Sequence, residues 1–349
     1  METKNFGTTR EGGDATLFTL ENSNGLIARI TNYGAAITEM HVPDRHGNTH
    51  DITLGFDNLE AYLENSPSFG VVAGRYANRI AFGQFQLGKK SYQLPINNGD
   101  HHLHGGKQGF SAKLWTASEL KRANAEGIRL AYLSPDQEES YPGNLSVRID
   151  YLLTNSNELR IEYQASSDKP TPINLTNHAY WNLRGNGTGD IKDHELTLKA
   201  DLFTAVDSSL IPTGEILSVA DTPLDFRSPT SIGARIQEVG GDPTGYDHNF
   251  VLNKPETAAL ELAAVLRHTE SGRRMEVLTT EPGIQLYTAN FLDGTLAGKS
   301  GNHYQAQAGL CLECQHFPDS PNHPHFPSTI LYPGMVYRQT TVHRFSVDA

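Results

Sequence analysis

The run VRIDYLLTNSNELRIEYQA, residues 147–165, decides the fold. Apolar and polar residues alternate along both halves, the period of two that a half-buried strand requires, and the polar NSN between them suits a tight turn. The segment therefore reads as two antiparallel strands of one hairpin. The same alternation recurs outward, in LIARITNYGAAITEMHV before it and in HELTLKA, RRMEVLTT and GIQLYTANF after it. Gly, Asn, Asp and Pro clusters separate these runs, as in hairpins and meanders rather than βαβ units. Helical patterns are confined to NLEAYLEN (58–65) and TSIGARIQEV (230–239), and GGDPTG (240–245) reads as a loop. No repeat or linker divides the chain. The expectation is an all-β fold, a large antiparallel β-sandwich of two sheets packed face to face, in a single domain over residues 1–349.

Composition narrows the function. Hydrophobic residues at 37%, with Gly 32 and Pro 18, describe a turn-rich globular chain. Its apolar runs fall far short of the roughly 20 residues that span a bilayer, and METKNFGTTREGGD at the start has no apolar signal core. A cytoplasmic protein without a membrane partner is expected. The formal net charge of -12 argues against nucleic acid, whose phosphates need clustered Lys and Arg, and favours a small neutral partner. The two cysteines, Cys311 and Cys314, stand as C-x-x-C. On a strand their α-carbons are roughly 10 Å apart and face opposite ways, beyond disulfide reach. No Gly-rich phosphate loop leads from a strand into a helix, and no G-x-S-x-G elbow presents a serine nucleophile.

The candidate chemistry begins at NLTNHAYWNL, residues 174–183. Ile173, Leu175, Asn177, Ala179, Trp181 and Leu183 share one parity and are nearly all apolar; Asn174, Thr176, His178, Tyr180 and Asn182 share the other. The polar set is either a solvent-facing surface or the floor of a cleft. Four further segments are as polar. GRYANRIAFGQF carries Arg75, Asn78 and Arg79, and NNGDHHLHGG carries His101, His102 and His104. GYDHNFVL carries Asp247, and LCLECQHFPDSPNHPHFPS carries Glu313. Parity sets Cys311, Glu313 and Gln315 on one face and Leu310, Leu312 and Cys314 on the other. Pro318, Pro321, Pro324 and Pro327 recur every third residue, predicting a stiff, polyproline-like wall beside the site. His101, His102, His104, His323 and His325 invite a metal, but adjacent His101 and His102 diverge on a strand and no carboxylate completes an established pattern, so none is expected.

With these segments in view, GRYANRI, LHGG, NLTNHAYWNL, GYDHNF, PGIQLYTANFLDG and LCLECQHFPD, in that order over roughly residues 25 to 345, resemble the aldose 1-epimerase family, the galactose mutarotases. The resemblance implies a β-supersandwich that interconverts the α and β anomers of free aldohexoses such as glucose and galactose without a cofactor. It implies His178 as general acid and Glu313 as general base. Asn78, Arg79, His104, Asp247 and Gln285 would hold the sugar, and Tyr180, on the His178 face, is expected to bind it with them; Arg79 is preferred to Arg75. The chemistry suits these types: one group takes the C1 hydroxyl proton while another protonates the ring oxygen, and amides, imidazoles and a guanidinium pair with hydroxyls. Activity is expected to fall in acid as Glu313 protonates, in a monomer or weak dimer. The alternatives are a hexose-6-phosphate mutarotase, which needs a basic phosphate pocket, and a non-catalytic carbohydrate-binding protein, which would lack the acid or the base.

Overall fold

The computed structural model describes residues 1–64, 67–254 and 258–348. Strands Leu145–Thr154 and Glu158–Ser167 pair antiparallel with Tyr151 opposite Ile161, and the turn between them places Asn157 at φ 62°, a conformation asparagine tolerates. Val147, Ile149, Tyr151, Ile161 and Tyr163, all of one parity, are buried.

The hairpin lies inside a nine-stranded antiparallel sheet, which continues on one side through Ala125–Ser134 to Thr116–Arg122. On the other side follow Tyr337–Val347, Arg273–Thr279, Glu261–Arg267, Glu195–Leu198 and Thr230–Ser231. A five-stranded meander runs from Glu2–Thr8 to Thr49–Asp51. A second five-stranded sheet has the order Pro212–Ser218, Leu202–Val206, Asp247–Val251, Gly283–Tyr287, Cys311–Gln315. One continuous core joins all three, with Ile30 and Met40 from the meander, Ile149 and Ile161 from the large sheet, and Phe250, Ile284 and Leu312 from the other. The fold is the expected all-β sandwich, with one refinement: two sheets share the face opposite the large one, because five strands cannot cover the apolar surface that nine present.

Of the two helical patterns, the first forms the helix Leu59–Glu64, burying Leu59 and Tyr62; residue 65 lies outside the described residues. The second does not form one. It gives the strand Thr230–Ser231 and two 3₁₀ turns, Ile232–Ala234 and Ile236–Glu238. Ile232 and Ile236 are buried, which explains the helical spacing. The amides of Ile232 and Gly233 are instead spent on the carbonyls of His194 and Lys192, at 2.9 and 2.8 Å. GGDPTG is a loop, and no described helix is long and apolar enough to cross a membrane.

The proline-spaced run also departs from expectation. Asp319 sits at φ 55° and Ser320–Asn322 form a 3₁₀ turn, with backbone bonds from Asn322 to Asp319 (2.9 Å) and from His323 to Ser320 (3.1 Å). A polyproline path has no such internal bonds. The Asp319 carboxylate accepts from the Ala81 amide at 3.0 Å and from Asn322 Nδ2 at 2.6 Å, so it folds the run against the segment that follows Arg79.

Candidate active site

Residues 174–183 run extended, but only Thr176–Asn177 join a ladder; Asn174 and Trp181 make isolated bridges. Both parities are buried, with His178 5% exposed and Tyr180 3%, so the polar face is not a solvent surface. Its members divide. Asn174 Nδ2 donates to the carbonyls of Ala77 and His316, and Asn182 Nδ2 to that of Ala308, which pins the backbone. His178 and Tyr180 turn toward the second five-stranded sheet.

In that sheet Gln285 stands opposite both Asn249 and Glu313, and Tyr287 opposite both Asp247 and Cys311. All six share a face. The reverse face carries Phe250, Ile284, Leu286 and Leu312 into the core. Burying such a side chain is worth about 1.5–3 kcal/mol, and a one-residue slip would expose the whole set, so the core locks Glu313 toward His178. The opposite wall comes from the strand Arg79–Ile80, paired with His102–Leu103. Asn78 (φ 64°) and His104 (φ 52°) flank it in left-handed conformations, and the Asn78 amide donates to His104 Nδ1 at 3.1 Å. The glycine after His104 is sterically required: a Cβ on Gly105 would lie 1.9 Å from the Gly74 carbonyl oxygen.

These walls bring the sequence-selected residues together. His178 Nε2 lies 3.5 Å from Glu313 Oε1. The His104 ring meets the His178 ring edge-on at 5.1 Å, and the Tyr180 ring stacks on it at 5.1 Å. Tyr180 offers its ring only, since its hydroxyl donates to the Pro67 carbonyl at 2.7 Å. Gln285 Nε2 donates to Asp247 Oδ1 at 2.6 Å, and Arg79 Nη1 stands 4.0 Å from Asp247 Oδ2. Asn78 Oδ1 accepts from the Arg79 amide at 2.8 Å. Arg75 faces away and spends its guanidinium on Ser134, Pro135 and Pro142. Sequence reading missed Asn98, which accepts from Arg79 Nε at 3.3 Å, and Tyr287, whose ring lies 6.3 Å from His178. Parity with Gln285 could have found Tyr287; Asn98 lies in a loop and carries no periodic signal.

The remaining histidines go elsewhere. His102 bonds the Pro95 carbonyl and the Tyr141 hydroxyl, His101 accepts from the Phe82 amide, and His325 meets the Gly214 carbonyl. Among the described residues, His104, His178 and Glu313 do place ligand-type atoms within 4.8 Å of one another. However, the Asn78 amide can only donate, so neutral His104 keeps its own proton on Nε2. It presents an N–H to the site, a donor for a hydroxyl rather than a lone pair for a metal. Both cysteines are free and buried, Cys314 in the core and Cys311 beside His178.

Burial controls the charge. Glu313 is raised well above the usual carboxylate range by desolvation and then by Asp247, against the pull of Arg79, and its Oε2 is buried without a partner. Desolvation lowers His178 to about 4 and keeps His104 neutral, with His178 and Arg79 acting in the same direction on His104. Burial thus favours the neutral form of each group, carboxyl and imidazole, with one exchangeable proton between them. Because burial favours the neutral carboxyl, the acid limb expected of Glu313 is expected, in a pair that shares one proton, to report the entry of a second.

The family model for aldose 1-epimerase matches residues 16–344. The galactose mutarotase of Bos taurus is 49% identical over 325 residues, covering 93% of this chain and 92% of that protein. Among solved structures, the aldose epimerase homologue from C. elegans aligns with a TM-score of 0.86 at 34% identity, over 96% of this chain and all of that one. Galactose 1-epimerase from Lactobacillus acidophilus aligns with a TM-score of 0.85 at 28% identity, over all of this chain and 99% of that one. With a buried His178–Glu313 pair set among amide, imidazole and guanidinium side chains and this likeness along nearly its whole length, the chain belongs to the aldose 1-epimerase family.

Proposed function

We propose that the chain interconverts the α and β anomers of free hexoses such as glucose and galactose, with Glu313 as the base and His178 as the acid. The observation that carries this reading is the buried Glu313 carboxyl, whose Oε2 has no partner and whose Oε1 lies 3.5 Å from His178 Nε2. On sugar binding the shared proton moves to His178. Glu313 then takes the C1 hydroxyl proton as the imidazolium protonates the ring oxygen, and the pyranose opens. After rotation about C1–C2, Glu313 returns its proton to O1 and His178 removes the one on O5, closing the ring on the other face. Each cycle ends with the proton inventory it began with. Asn78, Arg79, His104, Asp247 and Gln285 orient the hydroxyls, and the Tyr180 ring supports the imidazole. No metal or cofactor takes part in these steps, nucleic acid is no partner of a chain of net charge -12, and the working form is a monomer or weak dimer in the cytoplasm.

Polarimetry on freshly dissolved α-D-glucose and α-D-galactose, with catalytic protein in excess EDTA, tests the proposal. Mutarotation well above the buffer rate is expected, with much lower kcat/KM on glucose 6-phosphate, because Arg79, the one site arginine among the described residues, already faces Asp247. Faster turnover of the 6-phosphate would favour a phosphosugar mutarotase; no acceleration at all would leave a carbohydrate-binding protein. Loss of activity in EDTA, restored by one divalent ion, would overturn the metal-free steps.

A further inference from the structure

The two site histidines differ at Nδ1. At His104 that nitrogen receives a backbone amide, a group that can only donate. At His178 it lies 3.4 Å from the sulfur of Cys311, a thiol that, unlike an amide N–H, can accept as well as donate. Cys311 is 0% exposed, and burial holds its thiol far above the ordinary range, so the imidazole faces a neutral sulfur. The other groups around the ring are Glu313 at Nε2, the edge of His104, and the rings of Tyr180 and Tyr287.

We propose that Cys311 is a positioning residue for the ring opening: its sulfur accepts from Nδ1–H of His178 and holds the neutral imidazole in the tautomer whose Nε2 lone pair faces Glu313. The two imidazoles then carry opposite tautomers with different uses. His104, protonated on Nε2, is a fixed donor to a sugar hydroxyl. His178, protonated on Nδ1, keeps Nε2 free to receive the Glu313 proton and pass it to the ring oxygen. Were Nε2 of neutral His178 protonated instead, it would oppose the incoming proton and the relay would stall. The inference rests on the assignment of His178 as the acid.

Long-range ¹H–¹⁵N correlation spectra of histidine-labelled protein at neutral pH read the tautomer directly. Nδ1 is expected to carry the proton of His178 in the unmodified protein. Cys311→Ala should shift the ring toward Nε2 protonation and lower kcat about tenfold with KM nearly unchanged, while Cys311→Ser, which retains an acceptor, should keep most of both signatures. Nε2 protonation in the unmodified protein, or an unaltered His178 spectrum in Cys311→Ala, overturns the inference whatever the rate. Full activity in His178→Asn overturns instead the acid assignment, so the two failures are read separately.

Discussion

Glu313→Gln is expected to lower kcat by about 10² or more while sugar binding persists, because the amide keeps the shape and hydrogen bonding of the carboxyl but cannot accept the C1 proton. Removal of the proposed acid in His178→Asn should produce a loss of the same order. The two groups act in one ring-opening event, so the double variant loses less than the product of the single losses. The pH profile follows from the shared proton. The kcat/KM of the unmodified protein is expected to fall in acid as a second proton enters the pair toward about 4, the value to which burial lowers His178. It should fall in alkali as the remaining proton leaves Glu313, whose pKa burial raises. In Glu313→Gln that alkaline limb disappears from the residual rate. Near-normal kcat with the alkaline limb intact would remove Glu313 from the mechanism and direct attention to Asp247.

Arg75→Ala and Arg79→Ala separate structure from binding. Arg75 is 2% exposed, and its guanidinium donates to Ser134 Oγ and O and to the carbonyls of Pro135 and Pro142, at 2.8 to 3.1 Å. Truncation strands those acceptors in a buried setting at about 1–3 kcal/mol each, so a loss of several kcal/mol should appear as a lower urea midpoint. The protein that remains folded should keep its kcat/KM. Arg79→Ala acts oppositely: stability changes little, and KM rises roughly tenfold because an orienting donor is gone. Since Arg79 pulls the Glu313 pKa down, its removal also moves the alkaline limb to higher pH. Wild-type kcat/KM in Arg79→Ala, with a large loss per folded molecule in Arg75→Ala, would exchange the two roles.

The alternation in residues 147–165 and 310–315 was legible because a strand has only two faces. Once Leu310, Leu312 and Cys314 claim the core, Glu313 has one direction left. The family motifs likewise named the residues that now surround His178. Other features depend on partners distant in sequence and carry no local period. The choice of Arg79 over Arg75 was a preference within one short motif, and the structure separates them through Ser134 and Pro142 on one side and Asp247 on the other. The turn at Asp319 overrode the proline spacing because the Ala81 amide needed an acceptor. The pattern at 230–239 gave two 3₁₀ turns in place of one helix, broken at Arg235, whose φ of -132° and ψ of 12° are not helical. The upward shift of the Glu313 pKa was decided last of all, since it depends on how completely water is excluded, and only the packed sheets set that.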